Sequence, residues 1–429
     1  MAEIQKRSTI PVVRLPRTGT MIDPDIHRLR NGIPLYLFPS QNTEVIRLEL
    51  TFEAGMVFEN KALQARFANL MLPGGTSAMT ASKIDEAFDY YGSFPNFGVD
   101  RDKAVVQIYM LPSNFNETAR LINNIVYDPV FPESELVMNR ENRLQSFLVN
   151  RQRVAFISAD HLFETLFGSV HPYGKRLQPE NFEELTREDI VLFHSQFYRK
   201  GIKRVVLSGF VNDSIVATIE ELFGHRDASG ENMKPLPLPE NAECNQKVFI
   251  ERPGAVQSSI RIARKTVPMS HPDYTGLKIV DTILGGYFGS RLMGNLREDK
   301  GYTYGAGSSL NSFRLAGMSL ISTEVGAEHT SLALKEVYHE MDLLADKNIT
   351  LAELKLVRRN MLGELVRQFD GPFAQTESFT IALDAGLTMN YYKLLEEKVK
   401  TITPSEIKQL AGTYYRKEDF CEIVAGKMQ

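Results

Sequence analysis

The segment TREDIVLFHSQFYRKGIKRVVLSG, residues 186–209, returns later in the chain as TPSEIKQLAGTYYRKEDFCEIVAG, residues 403–426. Thr186, Ile190, Tyr198, Arg199, Lys200 and Gly209 coincide with Thr403, Ile407, Tyr415, Arg416, Lys417 and Gly426, every pair 217 positions apart without a gap. Outward from this match, Glu135-Leu136 and Asn142 return as Glu353-Leu354 and Asn360 at a spacing of 218, and Arg47-Leu48 as Arg261-Ile262 at 214. Chance matches among helix formers would scatter in spacing. Three regions that keep nearly one spacing and one order mark two copies of a single α+β unit. The copies are read as residues 27–226 and 247–429. They are joined by a linker at 227–246 built around Pro235-Leu236-Pro237-Leu238-Pro239, a composition suited to a domain boundary. Residues 1–26, with Pro11, Pro16 and Pro24 and no periodicity, read as an extended arm.

A chain of 429 residues is too long for one core and suits two domains with a core each. The net charge of −4 offers no basic surface, which sets nucleic acid and anionic lipid aside as partners. No apolar run reaches the length of a membrane span, and Met1 to Arg7 lack the apolar core of a secretory signal. The two cysteines, Cys244 and Cys421, read as free thiols in a reducing compartment. A cytoplasmic location follows, or a periplasmic one if a signal has been removed.

Along the first copy, strand-like runs occupy 33–38, 45–52, 104–111 and 204–210. Helical periodicity marks 63–72, 81–91, 114–126, 132–149, 161–167 and 186–198. Each copy is therefore expected to be an antiparallel-rich sheet packed with helices. The helix at 63–72 has Leu63, Phe67, Leu70 and Met71 on one apolar face, and Pro73 and Gly74-Gly75 stop it. Its positions i, i+3 and i+4 hold Arg66, Asn69 and Leu70, which share a face. His, Glu and His at those offsets would make the zinc helix of an inverted zincin. A cation, a neutral amide and a hydrocarbon do not.

Several marks surround this helix in order: Gly55, Gly75-Thr76, Tyr91-Gly92 and His171-Pro172-Tyr173-Gly174. In the second copy stand Gly285-Gly286, Ser290-Arg291-Leu292 and the long run Leu296-Arg297-Glu298-Asp299-Lys300-Gly301-Tyr302-Thr303-Tyr304. With them the chain resembles the pitrilysin/insulinase family of zinc peptidases, in its mitochondrial-processing-peptidase-like branch. The resemblance implies a clamshell of two homologous domains around a polar chamber. It puts the zinc motif on Arg66 to Leu70, where both ligand histidines and the general-base glutamate are replaced. The family's third ligand is a glutamate on the helix that here spans about 132–150, and no Asp or Glu stands between Glu141 and Asp160. No zinc is then expected on this chain.

The resemblance also implies that Arg297 and Tyr304 reach substrate backbone near the scissile bond. Arginine supplies a planar fork of donors and tyrosine one directional donor, which suits a carbonyl or developing oxyanion. Spacing alone equally allows an Arg297–Asp299 pair and a half-buried Tyr304. The implied function is the Arg/Tyr substrate-binding subunit of a peptidase, completed by a zinc-bearing sibling in a heterodimer or higher assembly. It would bind extended peptides by strand addition to a sheet edge. The alternative is a homodimeric pseudo-peptidase that holds or escorts peptides without cleaving them. A peptidase with improvised ligands is a third reading, opposed by the empty motif.

Other clusters have simpler explanations. Asp160, His161, Glu164 and His171 read as solvated helix residues and a turn-capping histidine. His329 and His339, with Glu336 and Glu340, read as a charged solvent face. The glycine series from Gly285 to Gly289 lacks the Gly-Lys-Ser/Thr ending of a phosphate cradle and follows a helix. Lys393 to Lys400 read as an exposed charged helix.

Overall fold

The computed structural model describes residues 19–199, 201–225 and 246–427. Most of the expected arm, nearly all of the expected linker and Cys244 lie outside the described residues. Among those described, eleven strands form two sheets. The first contains β1 (Asp25–Arg28), β2 (Pro34–Pro39), β3 (Ile46–Phe52), β4 (Phe94–Val99), β5 (Ala104–Met110) and β6 (Arg204–Gly209). Its order is β1-β2-β6-β3-β5-β4. The second contains β7 (Lys247–Glu251), β8 (Gln257–Thr266), β9 (Thr303–Ser312), β10 (Gly317–Gly326) and β11 (Cys421–Gly426). Its order is β7-β11-β8-β10-β9. Only β2 with β6 and β7 with β11 pair in parallel; all other pairs are antiparallel. Apart from β1 the two orders correspond strand for strand, so the repeated spacing in the sequence is a repeated topology.

Local signals recur with the topology. Thr186 and Thr403 each accept from a backbone N–H three residues on, Asp189 and Glu406 respectively, both at 3.2 Å. Both acids reach back to the threonine N–H, which closes a capping box at each helix. The strand β4 is absent from the sequence reading because it carries Pro95 and Gly98, both poor strand formers. It survives as an edge, where a missing N–H costs little.

The helix expected at 161–167 starts earlier and spans Val154–Phe167. It packs on β8 and β11 of the second sheet. Its counterpart, Gly371–Asp384, packs on β2 and β6 of the first. Ala263, Met318, Cys421 and Ile423 accordingly join the core of the first half, while Phe38 and Val206 join that of the second. The repeated arginines fasten this exchange. On β8, Arg261 Nε donates to Ser158 Oγ at 3.0 Å. On β3, Arg47 Nη1 donates to the Phe373 carbonyl at 3.3 Å. A polar cavity of about 370 Å³ lies at the seam, lined by Asp102, Lys103, Asn311, Arg314 and Asp384.

Cys421 is fully buried and disulfide-bonded, which overturns the free-thiol expectation at this position. The argument for a reducing compartment falls with it. Among the described residues no helix is long and apolar enough to cross a membrane.

Two carboxyl groups have opposite pH signatures. Arg204, 2% exposed, donates from Nη1 to Asp384 Oδ1 at 2.6 Å, and Lys103 pairs with the same carboxylate. Burial would raise the Asp384 carboxyl, but the Arg204 guanidinium and the Lys103 ammonium outweigh it and hold it below the usual range. Glu59 is buried against the first turn of the helix Gln64–Leu70, its Oε1 accepting from Ala65 N at 2.8 Å. Burial pushes its carboxyl up to about 7 against the backbone N–H and the Arg66 charge.

Replacing Asp384 by Ala strands a buried guanidinium and should cost about 3 kcal/mol, the low end for a buried pair because water reaches Asp384. Urea titrations should show the stabilisation by Asp384 intact above the ordinary carboxylate pKa and lost as pH falls through its lowered value. For Glu59 the sign reverses. Its contribution is complete below the ordinary glutamate pKa and fades as pH rises through about 7. The Glu59→Gln variant should therefore lose less stability than the native chain between about pH 5 and about pH 8.

Candidate functional site

The zinc-motif positions lie on the short helix Gln64–Leu70, which enters from Leu63 at a left-handed φ of 73°, an outlier for leucine. The helix packs on Arg187–Phe197 and on β4. Asn69, 1% exposed, donates from Nδ2 to the Tyr198 hydroxyl at 3.0 Å. It thereby fixes the helix to the conserved-spacing tyrosine of the repeat. Arg66 is exposed and Leu70 half-buried. Zinc does not fit here: the amide is committed to Tyr198, the hydrocarbon has no lone pair, and the guanidinium brings positive charge.

The other titratable clusters are also committed. Arg176 Nε donates to Asp160 Oδ2 at 2.7 Å and Nη1 to Glu164 Oε2 at 3.2 Å. His171 accepts at Nδ1 from Tyr173 N at 3.0 Å, capping its own turn. Among the described residues no three His, Cys, Asp or Glu side chains converge on a metal-sized site.

In the second half the helix Tyr274–Asp281 runs into a π-helical turn, Thr282–Gly286, and a second π-helical turn spans Met293–Asp299. Such wide turns are frequent at functional sites. Gly285 presses on β9, where a Cβ would stand 2.3 Å from Ser308 N, so only glycine permits the approach. The second turn is pinned at both sides of Arg297. Arg291 forks onto Glu353, Nε to Oε1 at 2.8 Å and Nη2 to Oε2 at 3.0 Å. Asn295 Nδ2 donates to Glu336 Oε2 at 3.0 Å and Glu340 Oε1 at 2.8 Å, and Lys300 Nζ lies 3.8 Å from Glu336. The acids read as a solvent face therefore hold this turn in place. A helix surface covered by another segment looks the same in sequence as one facing water.

Arg297 itself is half-buried, and among the described residues no hydrogen bond or ion pair engages it, with Asp299 or any other acid. Its guanidinium lies over the Phe288 ring, 4.6 Å from the centroid, a cation–π contact that leaves the N–H fork free. Phe288 is 63% exposed. The sequence reading did not single it out, although a bulky aromatic among Gly285, Gly286 and Gly289 was a visible signal.

The turn bearing Arg297 packs on β9, the edge strand that carries Tyr304. There the register with β10 shifts between Thr323 and Val325, so Tyr304 and Gly305 face Glu324 alone. This is a β-bulge, a device that re-aims side chains beside sites. Thr303 secures it, donating from Oγ1 to the Glu324 carbonyl at 2.6 Å, and Thr323 Oγ1 donates to the Gly305 carbonyl at 2.9 Å. Tyr304 is 93% exposed, not half-buried. The structure thus brings Arg297 and Tyr304 to neighbouring elements, and sets both apart from Arg66, Asn69 and Leu70 on the other half.

Residues 184–361 match the family model described as the peptidase M16 inactive domain. The chain is 22% identical over 387 residues to the uncharacterized zinc protease YmxG of Bacillus subtilis, covering 89% of this chain and 93% of that protein. It is 20% identical over 424 residues to the probable mitochondrial-processing peptidase subunit beta of Arabidopsis thaliana, covering 94% and 78%. In fold it is similar to a peptidase M16 inactive domain from Pseudomonas fluorescens, with TM-score 0.79, 22% identity, and 95% and 99% of the two chains covered. It is also similar to a protease from Helicobacter pylori, with TM-score 0.84, 17% identity, and 94% and 100% covered. With its duplicated α+β plan, the chain is similar in sequence and fold to the M16, pitrilysin-like peptidases, and has no His, Cys, Asp or Glu at its zinc-motif positions Arg66, Asn69 and Leu70.

Proposed function

We propose that this chain is the substrate-binding subunit of a peptidase whose zinc is carried by a sibling chain. The observation that carries the reading is the freedom of Arg297. In its segment the other two basic side chains, Arg291 and Lys300, face acids. Arg297 is left with five donors and an aromatic shelf. Together with the exposed Tyr304 hydroxyl it offers what a peptide carbonyl needs as charge builds on its oxygen. The hydrolytic water and its activation belong to the sibling. The work of this chain is to hold and orient the peptide.

Strand addition is favoured at β9. Thr303 to Ser312 contain no proline, so the alternate N–H groups that face away from β10 are present to pair, and among the described residues β9 pairs only with β10. The corresponding edge strand of the first sheet, β4, contains Pro95, which has no N–H. An extended peptide laid along β9 would pass Tyr304 directly. The disulfide at Cys421 favours an oxidising compartment, the periplasmic location of the two first considered.

The test is co-expression with a family member from the same genome that retains an intact His-x-x-Glu-His helix. The pair should co-purify and cleave a quenched peptide substrate. Changing Arg297 to Ala and Tyr304 to Phe together should lower kcat by about a hundredfold or more, the effect of lost oxyanion donors, while size-exclusion profiles stay unchanged. Full activity in that double variant would sink the assignment. Recovery of a homodimer that binds but never cleaves peptides would put the pseudo-peptidase reading in its place.

A further inference from the structure

The second half contains a cavity of about 550 Å³ away from Arg297 and Tyr304. It opens between the helix Tyr274–Asp281 with its π-helical turn, the helix Leu351–Gln368 and the exchanged helix Gly371–Asp384. Lys278 stands 214 positions after Gln64, the spacing that separates Arg261 from Arg47. Lys278 thus stands on the helix of the second copy that corresponds to the zinc-motif helix of the first.

The cavity floor is apolar, made by Met361, Leu365 and Leu395, with Ile381 exposed at the mouth. Its lining holds two cations and two acids. Glu364 pairs with Arg367, and Glu377 is 62% exposed and lies 3.9 Å from Arg47. Lys278 is the other cation of the lining, half-buried and, among the described residues, without a side-chain hydrogen bond or ion pair. The nearest acid in sequence, Asp281, is 1% exposed and stands 3.4 Å from the Tyr415 hydroxyl at Oδ1; it feels the Lys278 charge, which opposes the upward push of burial on its carboxyl, but makes no direct contact with it. The side-chain amides of Asn360 and Gln368 line the same cavity and are likewise uncommitted. One cation with no acid in contact, two uncommitted amides and an apolar floor complement an anion carried on an apolar body.

We infer that this cavity binds a carboxylate borne on an apolar group, namely the C-terminal residue of a peptide, with Lys278 receiving the carboxylate and Gln368 and Asn360 steadying it. The choice of a peptide over another apolar carboxylate rests on the peptide-binding function proposed above; the carboxylate site itself does not. A compact ammonium in a half-buried setting attracts a carboxylate more strongly than one in open water.

Calorimetry on the full chain alone provides the test, with three probes: acetyl-Ala-Ala-Leu with a free carboxylate, the same peptide amidated, and octanoate. The free acid should bind saturably and the amide about tenfold more weakly, the worth of one charge-assisted hydrogen bond. Lys278→Met should lose the same factor, and Lys278→Arg should regain most of it with its thermal melt unchanged. Gln368→Leu, a milder change on a half-buried position, should weaken the acid and leave the amide unaffected. Equal affinity for acid and amide, or no saturable binding, would overturn the carboxylate site. Octanoate binding as tightly as the peptide acid would overturn the peptide as its source. No sibling is needed in this measurement, so its failure and the failure of the split-peptidase reading are separate events.

Discussion

Each sheet of this protein leaves one face to be covered by a helix from the other half. Val154–Phe167 lies on β8 and β11, and Gly371–Asp384 lies on β2 and β6. A single sheet with one face open to water would expose a wide apolar surface, so neither half closes its core alone. The exchange makes the two halves one body, with Arg47 and Arg261 reaching from equivalent strands to the first turns of the exchanged helices. Ser158, which receives Arg261, also meets Ser259 at 2.9 Å. These buried polar contacts set the register of the seam, because an unmatched guanidinium there would be costly.

From this frame the two copies have diverged in what they expose. In the first, the helix Gln64–Leu70 keeps its place under the sheet, but its inner residues serve packing. Asn69 holds Tyr198, and Glu59 caps the first turn from below. In the second, the equivalent region has widened into π-helical turns, with Gly285 closing on β9 and Asn295 anchored by Glu336 and Glu340. Anchoring is what makes the free Arg297 meaningful. A long side chain on a mobile loop finds some acid to pair with, whereas one on a fixed turn is held where no acid can reach it.

The same rigidity explains Tyr304. On a regular strand its side chain would alternate with its neighbours and share their packing. The bulge opposite Glu324 breaks that alternation and turns the ring into solvent. The aromatic shelf of Phe288, the Arg297 fork and the Tyr304 hydroxyl thus arise from backbone irregularities: a run of glycines, a π-helical turn and a bulge. Each is stabilised by neighbours outside the segment.

What the sequence determined by itself is the duplication, most of the element types, the family resemblance and the replacement of the zinc ligands. These depend on spacing and residue chemistry along one stretch, which need no partner to be read. Thr186 and Thr403 cap their helices through residues three positions away, and Arg66 cannot bind zinc in any fold. Tertiary structure alone decided which helix covers which sheet, that Cys421 is not a free thiol, and that Glu336 and Glu340 grip Asn295. It alone left Arg297 without an acid. Arg297 has Asp299 nearby in the chain, and that pairing was as plausible from spacing as the isolation found. Which charges pair is a competition among groups brought together from distant parts of the chain, and only the packed structure fixes who is within reach.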